Sequence, residues 1–304
     1  MVIVLDSASL YYRAFHALPE SMTAPDGHPH NAMRGFLSTV TRLVRQHSCA
    51  SVIAAWDDDW RPQWRVDLLP SYKQQRVAVD PESDSTDGDV EAAEPESLGA
   101  QARAISELLG AAGIPVLGAV GFEADDIAAT IAHRLPCVVV TGDRDLVQVV
   151  TDAVRVHLTV NGGMEKWPLL DPAGVVSRFG VRPDQYVDLA VLRGDPSDGL
   201  PGVPGIGPKT AVALLSEWDG IQGIMHAART GAGRPMTPRL AGLLLEAQDY
   251  LDRAIRVATV RVDAPIEIRV TRASATKEAS DIAEEWGVSK QWLDLLSAIA
   301  QVET

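Results

Sequence analysis

The stretch "CVVVTGDRDL", residues 137–146, runs from an uncharged, largely β-branched segment straight into two carboxylates. β-branched residues favour an extended backbone, and an unbroken apolar run is what a strand covered on both faces shows. Residues 137–141 are therefore expected as a buried parallel strand with Cys137 inside it, turning at Gly142. The same grammar recurs outward from this point. "VIVL" (2–5) is followed by Asp6, "SVIAAW" (51–56) by Asp57, and "PVLGAV" (115–120) shortly by Glu123. Between these runs lie amphipathic stretches. Residues 32–47 place Phe36, Leu37, Val40, Leu43 and Val44 on one helical stripe, and 97–113 reads as a helix capped by Ser97 and stopped at Gly113. Strands alternating with helices predict an α/β fold, a mostly parallel central sheet flanked by helices. "RVHLTVNGGMEKWPLL" (155–170) reads as a hairpin turning at Asn161–Gly162–Gly163.

After residue 170 the texture becomes helical, as in "KTAVALLSEW" and "RLAGLLLEAQDYLDRAIRVAT". The expected organisation is a core over 1–170 and a helical domain over 171–304. Trp218, Trp286 and Trp292 sit in helical stripes and are expected in the core. No apolar run is long enough for a signal peptide or a membrane span, and the two cysteines form no metal-ligand pair. A reduced, cytoplasmic setting without a membrane partner follows. The two histidines of "HPHNAMRG" (28–35) read as surface loop rather than metal ligands, and His157 and His226 as structural.

The net charge of −14 argues at first against a polyanionic partner. Its distribution reverses that inference. Residues 80–96 carry eight acids and no base, and nine further acids belong to the constellation described next, which leaves 24 acids against 27 Lys and Arg. The remainder is mildly basic and can face nucleic acid if its charges cluster. Segment 80–96, poor in apolar residues, is expected as a mobile loop.

In an open α/β sheet, ligands gather outside the carboxyl ends of the strands. Asp6, Asp57, Glu123 and Asp143 all fall there. One acid at such a place is commonly a helix cap or a solvated loop residue. Four in register at one edge are not what scattered loop acids produce. In "FEADD" (122–126), Glu123 and Asp126 share a helix face and Asp125 can turn inward from the first turn, although acids at a helix start are also stabilising in themselves. Asp143 and Asp145 point the same way if that piece stays extended. Carboxylates so crowded repel one another, and divalent metal relieves the repulsion. An all-oxygen ligand set suits Mg²⁺ or Mn²⁺ rather than Zn²⁺. Two such ions close together suit hydrolysis of a phosphodiester.

"GDPSDGLPGVPGIGPKTA" (194–211) adds Asp195 and Asp198 to the acids. It continues into "GVPGIG" (202–207), which has the form of a helix-hairpin-helix turn. Gly202, Gly205 and Gly207 would let backbone N–H groups approach a phosphate, and Lys209 adds positive charge.

The motifs "LDSASLYYRAFHAL", "YKQQR", "FEADD", "TGDRDL" and "GDPSDGLPGVPGIGPKTA", in this order, resemble those of bacterial 5′ nucleases, the flap endonuclease relatives that include the 5′-nuclease domain of DNA polymerase I. The resemblance covers residues 2–260 and is that of a stand-alone, actinobacterial-type member. It implies a nuclease core of PIN-like fold acting on DNA 5′ ends and 5′ flaps, in replication and repair; a monomer is expected. It also implies that Asp6, Glu123, Asp125, Asp126, Asp143, Asp145, Asp195 and Asp198 serve metal, directly or through water. The ninth acid is Asp57, which follows the strand, or Asp58, which keeps the family spacing to Trp64–Arg65; Asp57 is the favoured one. Lys73 and Arg76 resemble the basic pair at the scissile phosphate. Arg65, Tyr72, Gly202, Gly205, Gly207 and Lys209 are implied in DNA binding, with K⁺ at the hairpin loop, while Arg13 and Phe15 support substrate or core. Two departures stand out. Gly199 replaces the usual asparagine, which would loosen that turn, and 80–96 is acidic where relatives carry a basic helical arch. The alternative, a catalytically silent structure-specific DNA-binding protein, would be expected to lack an acid, and every expected acid is present. A phosphatase of the haloacid dehalogenase type needs Asp-x-Asp after its first strand, where this chain has Asp6–Ser7–Ala8.

Overall fold

The computed structural model describes residues 1–76, 96–269 and 273–302. The acidic segment expected as a loop at 80–96 lies outside them up to residue 95, and Glu96 opens the helix Glu96–Ala111. Six strands form one sheet: β1 (Val2–Asp6), β2 (Val52–Ala55), β3 (Val116–Leu117), β4 (Cys137–Thr141), β5 (Val154–Leu158) and β6 (Leu169–Leu170). Their order is β3-β2-β1-β4-β5-β6. All neighbours are parallel except β5 and β6. The chain steps from β1 to one side through β2 and β3, then returns to the other side of β1 with β4. The carboxyl ends of β1 and β4 therefore flank the point where strand order reverses, the place where such sheets open a crevice.

Period-two alternation divides the core between the faces. Ile3, Leu5, Val52, Ala54, Val138 and Val140 meet helices Ser7–Ala17, Asn31–His47 and Glu96–Ala111 on one face. Val2, Val4, Ile53, Ala55, Cys137 and Val139 meet helix Ala124–Arg134 on the other, in a core continuous with the helices after residue 171. All five residues of the 32–47 stripe are fully buried. The last two helices, Lys277–Glu285 and Ser289–Val302, return to the first face and pack against Asn31–His47 and Glu96–Ala111. Trp292 is buried there, and the carbonyl of half-buried Trp286 accepts a 2.7 Å hydrogen bond from Nδ1 of His30. His30 is thus a buried linker rather than a surface-loop residue. Among the described residues no helix is long and apolar enough to cross a membrane.

Two elements differ from the sequence expectation. β3 is two residues long instead of spanning 115–120, because the Asp58 carboxylate sits over Gly118 and the chain turns away at Gly121. The hairpin pairs as expected, but its connection runs over 159–168 and holds a 3₁₀ turn, Met164–Lys166, instead of closing at Asn161–Gly163. Arg13 explains the wider loop. Its Nη2 donates to the carbonyls of Val160 and Gly162, and its guanidinium lies over the Trp167 ring.

Candidate metal centre

Asp6 ends β1 and caps helix Ser7–Ala17, accepting from the Ser9 N–H at 3.2 Å. The Thr141 hydroxyl at the end of β4 donates to Asp6 Oδ2 at 2.6 Å and accepts from the Asp143 N–H at 2.8 Å. One side chain thus fixes two acids of neighbouring strands. Asp57, just after β2, accepts from the Ala124 N–H at 2.7 Å, which ties it to the start of helix Ala124–Arg134. Asp58 is exposed, turned toward Gly118. Among the described residues the Asp125 carboxylate has no hydrogen-bond partner, and Asp125 lines the same cavity as Asp6, Asp57, Glu123, Asp143 and Asp195. That cavity measures about 1760 Å³ and is also lined by Lys73 and Arg76.

Glu123 and Asp126 do share a helix face, and what that face meets is Arg65. The guanidinium Nη1 stands 3.1 Å from Glu123 Oε2, and Nη2 donates to Asp126 Oδ1 at 2.7 Å. Asp126 Oδ1 also accepts from the Arg261 N–H, and Oδ2 from the Glu123 N–H. With both oxygens engaged and no exposure, Asp126 braces the helix start instead of facing the cavity. Arg65 is 2% exposed between the rings of Trp64 and Tyr72, so the expectation that it touches DNA is corrected by its burial. Tyr72 is corrected likewise: it is buried, and its hydroxyl donates to Glu123. Lys73, buried and at a φ of +49°, places Nζ 2.6 Å from Glu123 Oε2.

The second group of acids forms where the 3₁₀ turn Pro196–Asp198 approaches β4. Asp143, Asp145 and Asp198 bring carboxylate oxygens within 4.8 Å of one another. Asp143 Oδ1 accepts from the Asp145 N–H at 2.8 Å. Asp195 caps its own turn through the Ser197 N–H. Arg76 Nη2 stands 3.5 Å from Asp198 Oδ1, a buried oxygen with no hydrogen-bond donor among the described residues. This donor set is all oxygen, and an orphaned buried carboxylate oxygen is what a cation site leaves when only protein atoms are counted. The residues fit divalent ions.

Gly199 is where the two loops touch. It adopts a φ of +70°, and a Cβ there would lie 1.9 Å from the Ser71 carbonyl oxygen. Ser71 Oγ donates to the Gly199 carbonyl at 2.8 Å and the Lys73 N–H to that of Asp198 at 3.2 Å. Glycine tightens this turn rather than loosening it, because only glycine lets the Lys73 loop dock on Asp198. Gly199→Ala is expected to cost at least about 2 kcal/mol, from left-handed strain plus the backbone clash, and to lower Tm by roughly 5 °C. Thermal unfolding at fixed pH checks this, and an unchanged Tm would contradict it.

Burial dominates the electrostatics. It pushes the Asp6 carboxyl up to about 7 from an ordinary 3.8, with Asp57 and Asp143 adding to the shift and the Thr141 bond opposing it. Asp198 is raised to about 6 by burial and then by Asp143. Asp57, Asp125 and Asp145 are raised as well, each first by burial. For Lys73 burial is the largest influence and works downward, but Glu123, Tyr72, Asp198 and Asp125 together outweigh it and hold the ammonium well above its usual range. A carboxyl raised in the folded state binds more protons folded than unfolded, so its contribution to stability falls as pH climbs from about 4 to about 7. Without divalent ions, Asp6→Asn should be more stable than the parent, by up to about 4 kcal/mol at pH 8 and far less at pH 5. Denaturant unfolding in EDTA at the two pH values tests the sign.

The predicted turn lies between helices Tyr186–Arg193 and Pro208–Trp218. Gly205, Gly207 and Lys209 are exposed on it. Gly202 is not: it is buried, a Cβ there would meet Gly194 N at 2.6 Å, and its N–H donates to the Tyr250 hydroxyl. Its role is close packing, which corrects its placement among phosphate contacts. Sequence reasoning also missed Thr141, for which its position directly before Gly142–Asp143 is the one available signal, and Gln148. It missed the far rim of the cavity too, where the rings of Tyr12 and His16 meet edge-to-face at 4.5 Å and Arg144 and Arg178 supply positive charge.

Comparison with known proteins finds matches along the chain. A family model described as "5′-3′ exonuclease, N-terminal resolvase-like domain" matches residues 1–180, and "5′-3′ exonuclease, C-terminal SAM fold" matches 181–281. A 5′-3′ exonuclease of Streptomyces coelicolor is 44% identical over 98% of this chain and 99% of its own length. One of Mycobacterium tuberculosis is 42% identical over 98% of this chain and 97% of its own. Among solved structures, a bacteriophage T5 flap endonuclease in a pseudo-enzyme-product complex with DNA and metal ions shares the fold. Its TM-score is 0.63 at 18% identity, over 100% of this chain and 99% of that one.

Proposed function

The chain belongs to the 5′-3′ exonuclease family, and we propose that it cleaves DNA at 5′ ends and at 5′ flap junctions, with Mg²⁺ or Mn²⁺, in replication and repair. It is a hydrolase, a nuclease. The observation that carries the finer reading is the convergence of acids from four strand ends and the 195–198 turn on one cavity, with Asp143 common to both groups. Asp6, Asp57, Glu123, Asp125 and Asp143 would hold one ion, and Asp143, Asp145, Asp195 and Asp198 the other. Divalent ions bound there would supply an activated water and a counter-charge for the leaving oxygen.

The chain's own cations do the rest. Arg76, with its side chain 45% exposed, is free to meet the scissile phosphate from the Asp198 side. Lys73 lines the same cavity, and once Glu123 turns to an ion its ammonium can offset charge developing on the phosphate. Gly205, Gly207 and Lys209 would hold the DNA backbone away from the cut, with K⁺ between loop and phosphate. One chain carries every acid, so a monomer suffices. We assign 1–170 to the carboxylate-bearing core and 171–304 to the helical part, whose last two helices fold back onto the core.

Cleavage of a 5′-labelled flap duplex with Mn²⁺ and with EDTA tests the reading. Cutting near the junction in Mn²⁺ alone is expected. DNA that is bound but never cut would favour the silent binding protein. Affinity should fall steeply between low and physiological salt, because phosphate contacts release counterions. A flat response would count against DNA as substrate.

A further inference from the structure

Four of the five consecutive residues Val257–Arg261 are hydrogen-bonded to side chains that also hold the acids. Arg65 Nε donates to the Val257 carbonyl at 3.2 Å. The same guanidinium reaches Glu123 and Asp126, and Asp126 accepts from the Arg261 N–H at 2.8 Å. Gln148 makes the matching connection on the other side. Its Nε2 donates to the Asp145 carbonyl at 2.8 Å and to that of Ala258 at 3.1 Å, and its Oε1 accepts from the Val260 N–H at 3.1 Å. One braced acid, Glu123, belongs to the first carboxylate group, and the other, Asp145, to the second.

We infer that Arg65 and Gln148 are positioning residues that set the spacing between the two ion sites by hanging both on the single segment Val257–Arg261. The inference rests on the two-ion reading above. Neither side chain touches substrate: Arg65 is buried behind Glu123, and all three bonds of Gln148 go to backbone. The segment begins inside helix Gln248–Ala258 of the helical part, whose last two residues are Val257 and Ala258. A shift of that helix, as when the helical part engages a duplex, therefore moves Glu123 and Asp145 together. Repulsion among the crowded acids would otherwise drive the groups apart, and the segment resists this without adding a ligand.

The test is direct Mn²⁺ binding, followed by the electron paramagnetic resonance of free Mn²⁺, in the full chain and four variants, of which Asp198→Asn marks the second ion. Gln148→Met keeps side-chain length and removes all three bonds. Arg65→Lys keeps the charge and loses the two-pronged contact. Arg134→Met is the control: Arg134 ties helix Ala124–Arg134 to the carbonyls of Ala264 and Ile266 without touching an acid. The expected result is two ions for the parent. Gln148→Met should weaken roughly tenfold the ion that Asp198→Asn also loses, and leave the other within about twofold. Arg65→Lys should show the opposite pattern if it folds, and Arg134→Met should leave both affinities unchanged even where it lowers Tm. If Gln148→Met leaves both affinities within twofold, or weakens them equally as a general loosening would, the inference is overturned. A parent chain binding fewer than two ions would overturn the two-ion reading itself, and this inference with it.

Discussion

Asp143→Asn is expected to slow cleavage by at least ~10³-fold, about 4 kcal/mol at the transition state, while the fold survives. Asp143 is the acid whose charge acts on Asp6 and Asp125 on one side and on Asp145 and Asp198 on the other. Its Oδ1 accepts from the Asp145 N–H, a bond an asparagine oxygen can also accept. The turn therefore keeps its geometry, and what disappears is the one negative charge common to both groups. Removing a like charge should also make the variant more stable than the parent in EDTA. Single-turnover cleavage of the labelled flap, with unfolding followed in parallel, separates the effects. A rate within tenfold of the parent would show that Asp143 is not shared between ions.

Lys73→Met is expected to lose both stability and rate, and the size of the stability loss depends on the metal. In EDTA the variant leaves Glu123 buried with Arg65 as its one remaining cation, and a loss on the order of 3 kcal/mol is expected. With Mn²⁺ present, an ion at Glu123 replaces the missing charge and most of that loss should vanish. Cleavage should nonetheless fall ~10²-fold or more if Lys73 acts on the phosphate as proposed, because the ion does not replace its ammonium there. Tm in EDTA and in Mn²⁺, alongside the single-turnover rate, reads both parts. An equal Tm loss under the two conditions would mean that Glu123 never leaves Lys73.

The acids on the sheet edge were legible because each follows an apolar run that can be only a buried strand. Asp6, Asp57 and Asp143 are set by local sequence, and the reversal of strand order brings β1 and β4 side by side without needing any distant contact. Arg65, Tyr72 and Asp126 were legible as chemistry but not as geometry. In sequence they look like exposed charge and hydroxyl. Arg65 and Asp126 are held by Val257 and Arg261, which lie far along the chain and carry no motif, and Tyr72 by Glu123. Gln148 is harder still, a lone polar residue in "DLVQVV" whose bonds all go to backbone atoms that any residue would offer. Gly199 shows the limit of reading a departure by analogy, since the Ser71 carbonyl that requires it is invisible until the loops are docked.

The return of Lys277–Glu285 and Ser289–Val302 to the first face has a consequence for the timing of synthesis. Helix Asn31–His47 is made early, yet the surface that covers it emerges some 250 residues later, roughly 10–50 s at ribosomal speeds. During that interval the flank of this helix against which Ser289–Val302 packs has no permanent cover. The nascent chain must carry it exposed, or shielded by a chaperone, until the C-terminal helices arrive. A message truncated near residue 270 would yield a chain with every acid of the site and an open flank, a product marked for proteolysis rather than for work on DNA.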